Sequence, residues 1–173
     1  VRYRLKDCAV IYRHDRHIVV KQPGGRAILV YGRFPALQPG ICFDATVRRL
    51  NRYHGNLEIT RLADIRRLAR TVSPAACFLD PRGRDLADRG LRNEVVGELR
   101  GVYRGGLLYY GSGRRIRLFF PERCSDAPAG KAWLPKSGQA VIVKGVRIGY
   151  HSHPELIIER AGQIRPAKAA DVR

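Results

Sequence analysis

The segment at 114–120 reads RRIRLFF. Side chains along an extended strand alternate between two faces. Ile116, Leu118 and Phe120 therefore share one face, and Arg115, Arg117 and Phe119 share the other. A guanidinium grips phosphate oxygens with parallel hydrogen bonds, and a flat ring stacks on a nucleobase. Cations and rings on one strand face are what a single strand of nucleic acid asks of its binder. Tyr109, in LLYYG at 107–111, adds an outward ring from the neighbouring strand. Tyr103 and Arg104 stand at the turn before it, and Tyr150 with His151 at a later hairpin. A second basic cluster, Arg48, Arg49, Arg52, Tyr53 and His54, surrounds the turn at Gly55. With His14, Arg16 and His17 at an earlier turn, it has the makings of a clamp on a phosphate backbone. Each group also has a plainer reading: rings that cover a barrel or a contact between modules, and a charged hairpin that is simply solvated.

Catalytic signatures are missing. The sequence holds no GxSxG, HExxH or phosphate-binding glycine loop between strand and helix. His151 and His153 alternate onto one strand face, but no third metal ligand is evident. The expectation is a non-enzymatic protein with no metal and no cofactor. Cys8, Cys42, Cys77 and Cys124 lack metal-ligand spacing and read as buried free thiols. A disulfide would require an oxidising compartment.

Charge points the same way as the strand face. Of 173 residues, 33 are Lys or Arg against 15 Asp or Glu, giving a net +18, and 27 of the 33 are Arg. Such a balance suits a polyanion, of which nucleic acid is the commonest. The competing explanation is compositional bias, since the cations are spread along the whole chain. No apolar run of membrane length is present.

The elements that must position these residues are short strands. Segments 1–13, 17–22, 26–32, 41–53 and 56–62 read as strands separated by His14-Asp15-Arg16, Pro23-Gly24-Gly25, a proline-rich loop at 34–40 and Gly55. Segments 95–104, 107–111, 114–120, 140–149 and 155–160 repeat that order. Residues 45–65 and 144–164 align at an offset of 99 with seven identities, among them Val47/Val146, Arg48/Arg147, Leu57/Leu156 and Ile59/Ile158. A period this long implies two domains rather than a solenoid. Five strands per half suit a closed OB-fold barrel, and an immunoglobulin-like sandwich would need about seven. The expected fold is all-β: two tandem five-stranded OB-fold barrels joined by an irregular linker. Its divisions are module 1 at 1–65, a linker with a lead-in strand at 66–94, module 2 at 95–165 and a tail at 166–173. In module 1 the outward residues of the third strand are Ala27, Leu29 and Tyr31, a face apolar enough for a contact between modules.

The runs LKDCAVIYRHDRHIVVKQPGGRAILVYG and LQPGICFDATVRRLNRYHGNLEIT resemble bacterial OB-fold modules found singly or in tandem in exported proteins, often of Bacteroidetes type. NEVVGELRGVYRGGLLYYGSGRRIRLFFPER looks like the partner module of such a tandem. The resemblance rests on glycine and strand patterns across nearly the whole chain, and this chain is far more basic than expected of such modules. It implies a nucleic-acid-binding-like fold and an exported or cell-envelope location; without it the expected location is cytoplasmic. The leading functional expectation is binding of single-stranded nucleic acid through phosphate contacts and base stacking. The alternative is an exported or envelope module that binds a protein or an anionic glycan.

Overall fold

The computed structural model describes residues 3–121, 134–150 and 153–168. Among the described residues ten strands make two barrels and an eleventh is added outside the second. The first contains β1 (Tyr3–His14), β2 (His17–Lys21), β3 (Ala27–Tyr31), β4 (Ile41–Tyr53) and β5 (Asn56–Thr71), closed in the order β1-β2-β3-β5-β4. The second contains β6 (Val95–Arg104), β7 (Leu107–Tyr110), β8 (Arg114–Phe119), β9 (Ala140–Tyr150) and β10 (His153–Ile157). It closes in the corresponding order through the β10–β9 pairing, and β11 (Ile164–Pro166) adds to the outside of β9. No helix among the described residues is long and apolar enough to cross a membrane.

The two barrels share strand order, and the β1–β4 pair shares its register with the β6–β9 pair. Tyr3 faces Val47 as Val95 faces Val146, and Ala9 faces Cys42 as Gly101 faces Val141. Both opening strands carry a bulge at the same place, between Leu5 and Cys8 and between Val96 and Leu99. An extra residue bends a strand and lets a small sheet curl closed. Asp7 takes the left-handed conformation there, at φ 50°. Its amide donates to Asp44 Oδ1 at 2.9 Å, and Arg70 reaches its carboxylate at 2.7 Å. The β6–β7 hairpin turns on Gly105 and Gly106, both at positive φ, which a tight two-residue turn between twisted strands demands.

Each barrel has its own core. Val10, Ile18, Val30, Phe43 and Ile59 fill the first; Leu99, Leu108, Ile116, Val143 and Leu156 fill the second. A third cluster lies between them. Ile11, Val19, Ala27, Leu29 and Cys42 of the first barrel meet Val95, Val146, Ile148 and Ile157 of the second. The outward residues Val19, Ala27 and Leu29 of β2 and β3 are thus covered by the second barrel, whereas Tyr31 at the end of β3 stays 46% exposed. This agrees with the sequence: Ile18-Val19-Val20 is apolar on both faces, the pattern of a strand buried on both sides. The strand β8, by contrast, alternates exposed and buried residues along its length.

The connection between barrels does more than link. β5 continues to Thr71, past the expected boundary at 65, because Arg66, Arg67 and Thr71 still pair with β4 across bulges. Leu79 then bridges to Val96, and Leu86 is completely buried in the second barrel's core. Arg147 holds that segment. It stands opposite Leu156 on β9, so its side chain enters the barrel, where it is only 2% exposed. Its guanidinium donates to the carbonyls of Leu86 (2.6 Å), Ile148 (2.7 Å), Asp88 (3.1 Å) and Ala87 (3.3 Å). Burial lowers its pKa to about 10, so it is still a cation at neutral pH.

Arg48, at the corresponding position of the first barrel, is exposed and pairs with Asp64 at 3.2 Å. Arg147→Ala should therefore cost about 2–4 kcal/mol, through a cavity and orphaned carbonyls. Arg48→Ala should cost under about 1 kcal/mol, as for a surface ion pair. Urea denaturation of both variants checks this, and equal losses would contradict the placement of Arg147.

Candidate nucleic-acid interface

The surface of interest is the outer face of β6, β7 and β8. Val102, Tyr109 and Arg115 form one cross-strand row; Arg104, Leu107, Arg117 and Glu155 form the next. Residues directly opposite on paired strands present their side chains to the same side. Four sequence-predicted residues, Arg104, Tyr109, Arg115 and Arg117, consequently share one open sheet face. The Arg104 guanidinium lies over the Tyr109 ring, 5.9 Å from its centroid. That stacking fixes the ring's orientation while leaving it 37% exposed. Arg115 meets no carboxylate among the described residues. Arg117 has one partner, Glu155, at a loose 3.8 Å, and its side chain is 61% exposed. Phe119 also points outward and is exposed, but it pairs with Ile157, a residue of the contact between barrels. It therefore borders that contact at the edge of the platform. Gly111 and Gly113 both take positive φ in the β7–β8 turn beside it.

Other predicted residues lie elsewhere. Tyr103 faces the second core and packs edge-on to Phe120 at 6.5 Å, because the alternation that turns Arg104 outward turns Tyr103 inward. Arg48, Arg49, Arg52, Tyr53 and His54 are all exposed on the β4–β5 hairpin, away from the β7–β8 face in sequence and in strand pairing. There the Tyr53 and His54 rings meet edge to face at 4.2 Å, and Arg52 donates to the Gly55 carbonyl at 3.4 Å. Tyr150 ends β9 in register with His153; its side chain, and the whole of His151, fall outside the described residues.

His17 is turned into the barrel contact rather than toward a ligand. Its Nε2 sits 3.3 Å from Glu159 Oε2, and its ring stacks beside Tyr12 at 6.0 Å. The Tyr12 hydroxyl donates to the same carboxylate. Gln163 completes the cluster, donating to the Tyr12 hydroxyl at 3.4 Å while its Oε1 accepts from the Glu159 and Arg160 amides. Arg160 spans the same contact, reaching the Arg13 carbonyl at 2.5 Å. Lys21–Glu94 (2.9 Å) and Asn56–Asn93 (3.0 Å) tie the opposite rim. None of the ties that cross the contact is evident from sequence, since their partners lie 37–151 residues apart. The available hint was a Tyr and a His beside otherwise apolar strands.

Among the described residues no three His, Cys, Asp or Glu side chains gather as a metal site. Cys8 and Cys42 are free and buried, and Cys77 is free and half-buried. Burial, with smaller effects from Cys42 and Asp7, pushes the Cys8 thiol up to about 12, so it stays protonated and unreactive. Comparison with family models, curated proteins and solved structures finds no match to this chain.

Glu159 gives a test of the barrel contact. Burial pushes its carboxyl up, but the His17 contact and the Tyr12 hydrogen bond outweigh burial and hold it below the usual range. A depressed folded pKa stabilises the protein above the unfolded value of about 4.3, and that stability is lost as pH falls through the folded pKa. Glu159→Gln should lower stability at pH 7 by about 1–3 kcal/mol. It should also flatten the loss of stability as pH falls below about 4.3 and through the folded pKa, as measured by denaturant titration at each pH. An unchanged acid limb would contradict this role.

Proposed function

We propose that this chain binds single-stranded nucleic acid on the outer β6–β7–β8 face of its second barrel. The observation that carries the reading is the arrangement of Arg104, Tyr109, Arg115 and Arg117 on one open sheet face. Tyr109 offers a ring to a base, and the arginines on either side offer paired donors to the flanking phosphates. Such a platform tolerates sequence, because every base has a π-face. The net charge of +18 favours encounter with any polyanion and adds salt dependence. The corresponding face of the first barrel is covered, so the reading assigns base stacking to the second barrel alone.

Fluorescence anisotropy with labelled single-stranded DNA and RNA across a salt series tests this. The logarithm of affinity should fall linearly with that of salt, by about 0.7 per phosphate neutralised. Arg115→Ala with Arg117→Ala should weaken binding and reduce the slope by about 1–1.5. Arg84→Ala with Arg89→Ala removes the same charge from exposed connecting residues and should do much less. Tyr109→Ala should cost about 1–3 kcal/mol at every salt concentration and keep the slope. Equal losses from the two arginine pairs would overturn the choice of face. An absence of salt-dependent binding to any oligonucleotide would overturn the function.

A further inference from the structure

The strongest unexplained charge lies on the first barrel, on the side formed by β1, β4 and β5. Arg49 on β4 stands directly opposite Arg61 on β5. Like charges directly opposite in an antiparallel pair destabilise the sheet. Both side chains are exposed, and neither has a carboxylate or hydrogen-bond partner among the described residues. The neighbourhood adds to the excess. Arg4 pairs with Thr46, and Thr46 with Ala63, so Arg4 flanks a floor of two small residues on one face. Arg67 is exposed and likewise lacks a carboxylate. The acids present are already engaged, Asp44 by Arg66 at 2.7 Å and Asp64 by Arg48 at 3.2 Å. Arg49, Arg61 and, opposite Phe43 farther along, Arg67 thus stand exposed on the β4–β5 ribbon with no carboxylate of their own among the described residues, and Arg4 on β1 shares Asp44. They need an anion that follows a strand rather than a single ion. Arg61 and Arg67 stand six residues apart on β5, about 20 Å along an extended strand, so a chain of phosphates can meet both where a single ion cannot.

We propose that this ribbon is a second contact for the phosphodiester backbone, recognised by charge alone, so that one nucleic-acid strand is held at two places. It rests on the reading that the second barrel binds single-stranded nucleic acid. It adds a division of labour: bases stack on the β7–β8 platform, and backbone follows the β4–β5 ribbon. Two linked contacts raise affinity only for a ligand long enough to reach both.

The test uses the full chain and labelled single-stranded oligonucleotides of about 6 and about 40 nucleotides, the longer exceeding a single-barrel site of roughly 4–16 nucleotides. The triple variant Arg49→Ser, Arg61→Ser, Arg67→Ser should bind the long oligonucleotide at least ten-fold more weakly at about 0.1 M salt, with a slope shallower by about 2. Its affinity for the short one should be unchanged. Arg49→Lys with Arg61→Lys should retain long-strand binding, because a point charge suffices. Thermal unfolding serves as the folding control, and the serine variant should melt no lower than the wild type, because a repulsive pair has been removed. Wild-type affinity of the serine variant for the long strand would overturn the proposal, as would equal losses on both lengths. Failure of the platform reading looks different. Tyr109→Ala would then bind both lengths as the wild type does, while the ribbon variant still lost the long strand.

Discussion

Everything about this molecule's available surface depends on the apolar contact between its two barrels. Ile11, Val19, Ala27 and Leu29 sit on the outside of the first barrel, where a lone barrel would expose them. Water is excluded only because Val95, Val146, Ile148 and Ile157 of the second barrel cover them. The polar groups at its edge are then obliged to pair, since a buried charge or hydroxyl without a partner is costly. Glu159 with Tyr12 and His17, and Glu94 with Lys21, meet that demand. The contact uses up the β2–β3 face of the first barrel and leaves the β7–β8 face of the second open.

The barrels agree in strand order, and their β1–β4 and β6–β9 pairs agree in register and bulge position, yet equivalent positions do different things. Arg48 solvates a hairpin; Arg147 enters a barrel and binds carbonyls of the connecting segment. Ala27 and Leu29 pack between domains, whereas Arg115 and Arg117 face solvent. The same strand order thereby supplies a docking face in one barrel and a charged, ring-bearing face in the other. The exposed arginines of the first barrel include Arg48, Arg49, Arg61 and Arg67 on β4 and β5.

Much of this was legible in the chain. RRIRLF alternates strictly, and its inward and outward residues are those the alternation assigns. The apolar run in β2 and the Ala27–Leu29 face announced a covered surface. The 99-residue echo located β4, β9 and the hairpins that follow them. What escaped the sequence depends on distant partners. His17 carries the same letter whether it meets a phosphate or Glu159, and Glu159 lies 142 positions away. Arg147 is indistinguishable from Arg48 until Leu86 plugs the second barrel. The charged run RRLART read as linker, because ladder pairing across bulges leaves no local pattern. Tyr103 stands beside a turn, yet the strand alternation that exposes Arg104 turns it inward.

The central claim is that the contact between barrels leaves only the second barrel's sheet face for stacked bases. Backbone amide shifts, followed by NMR while the full chain is titrated with a short single-stranded oligonucleotide, address it most directly. The account predicts that shifts concentrate on Leu107–Tyr110 and Arg114–Phe119, with His17–Lys21 and Ala27–Leu29 silent. Shifts centred on β2 and β3, or spread evenly over both barrels, would contradict it.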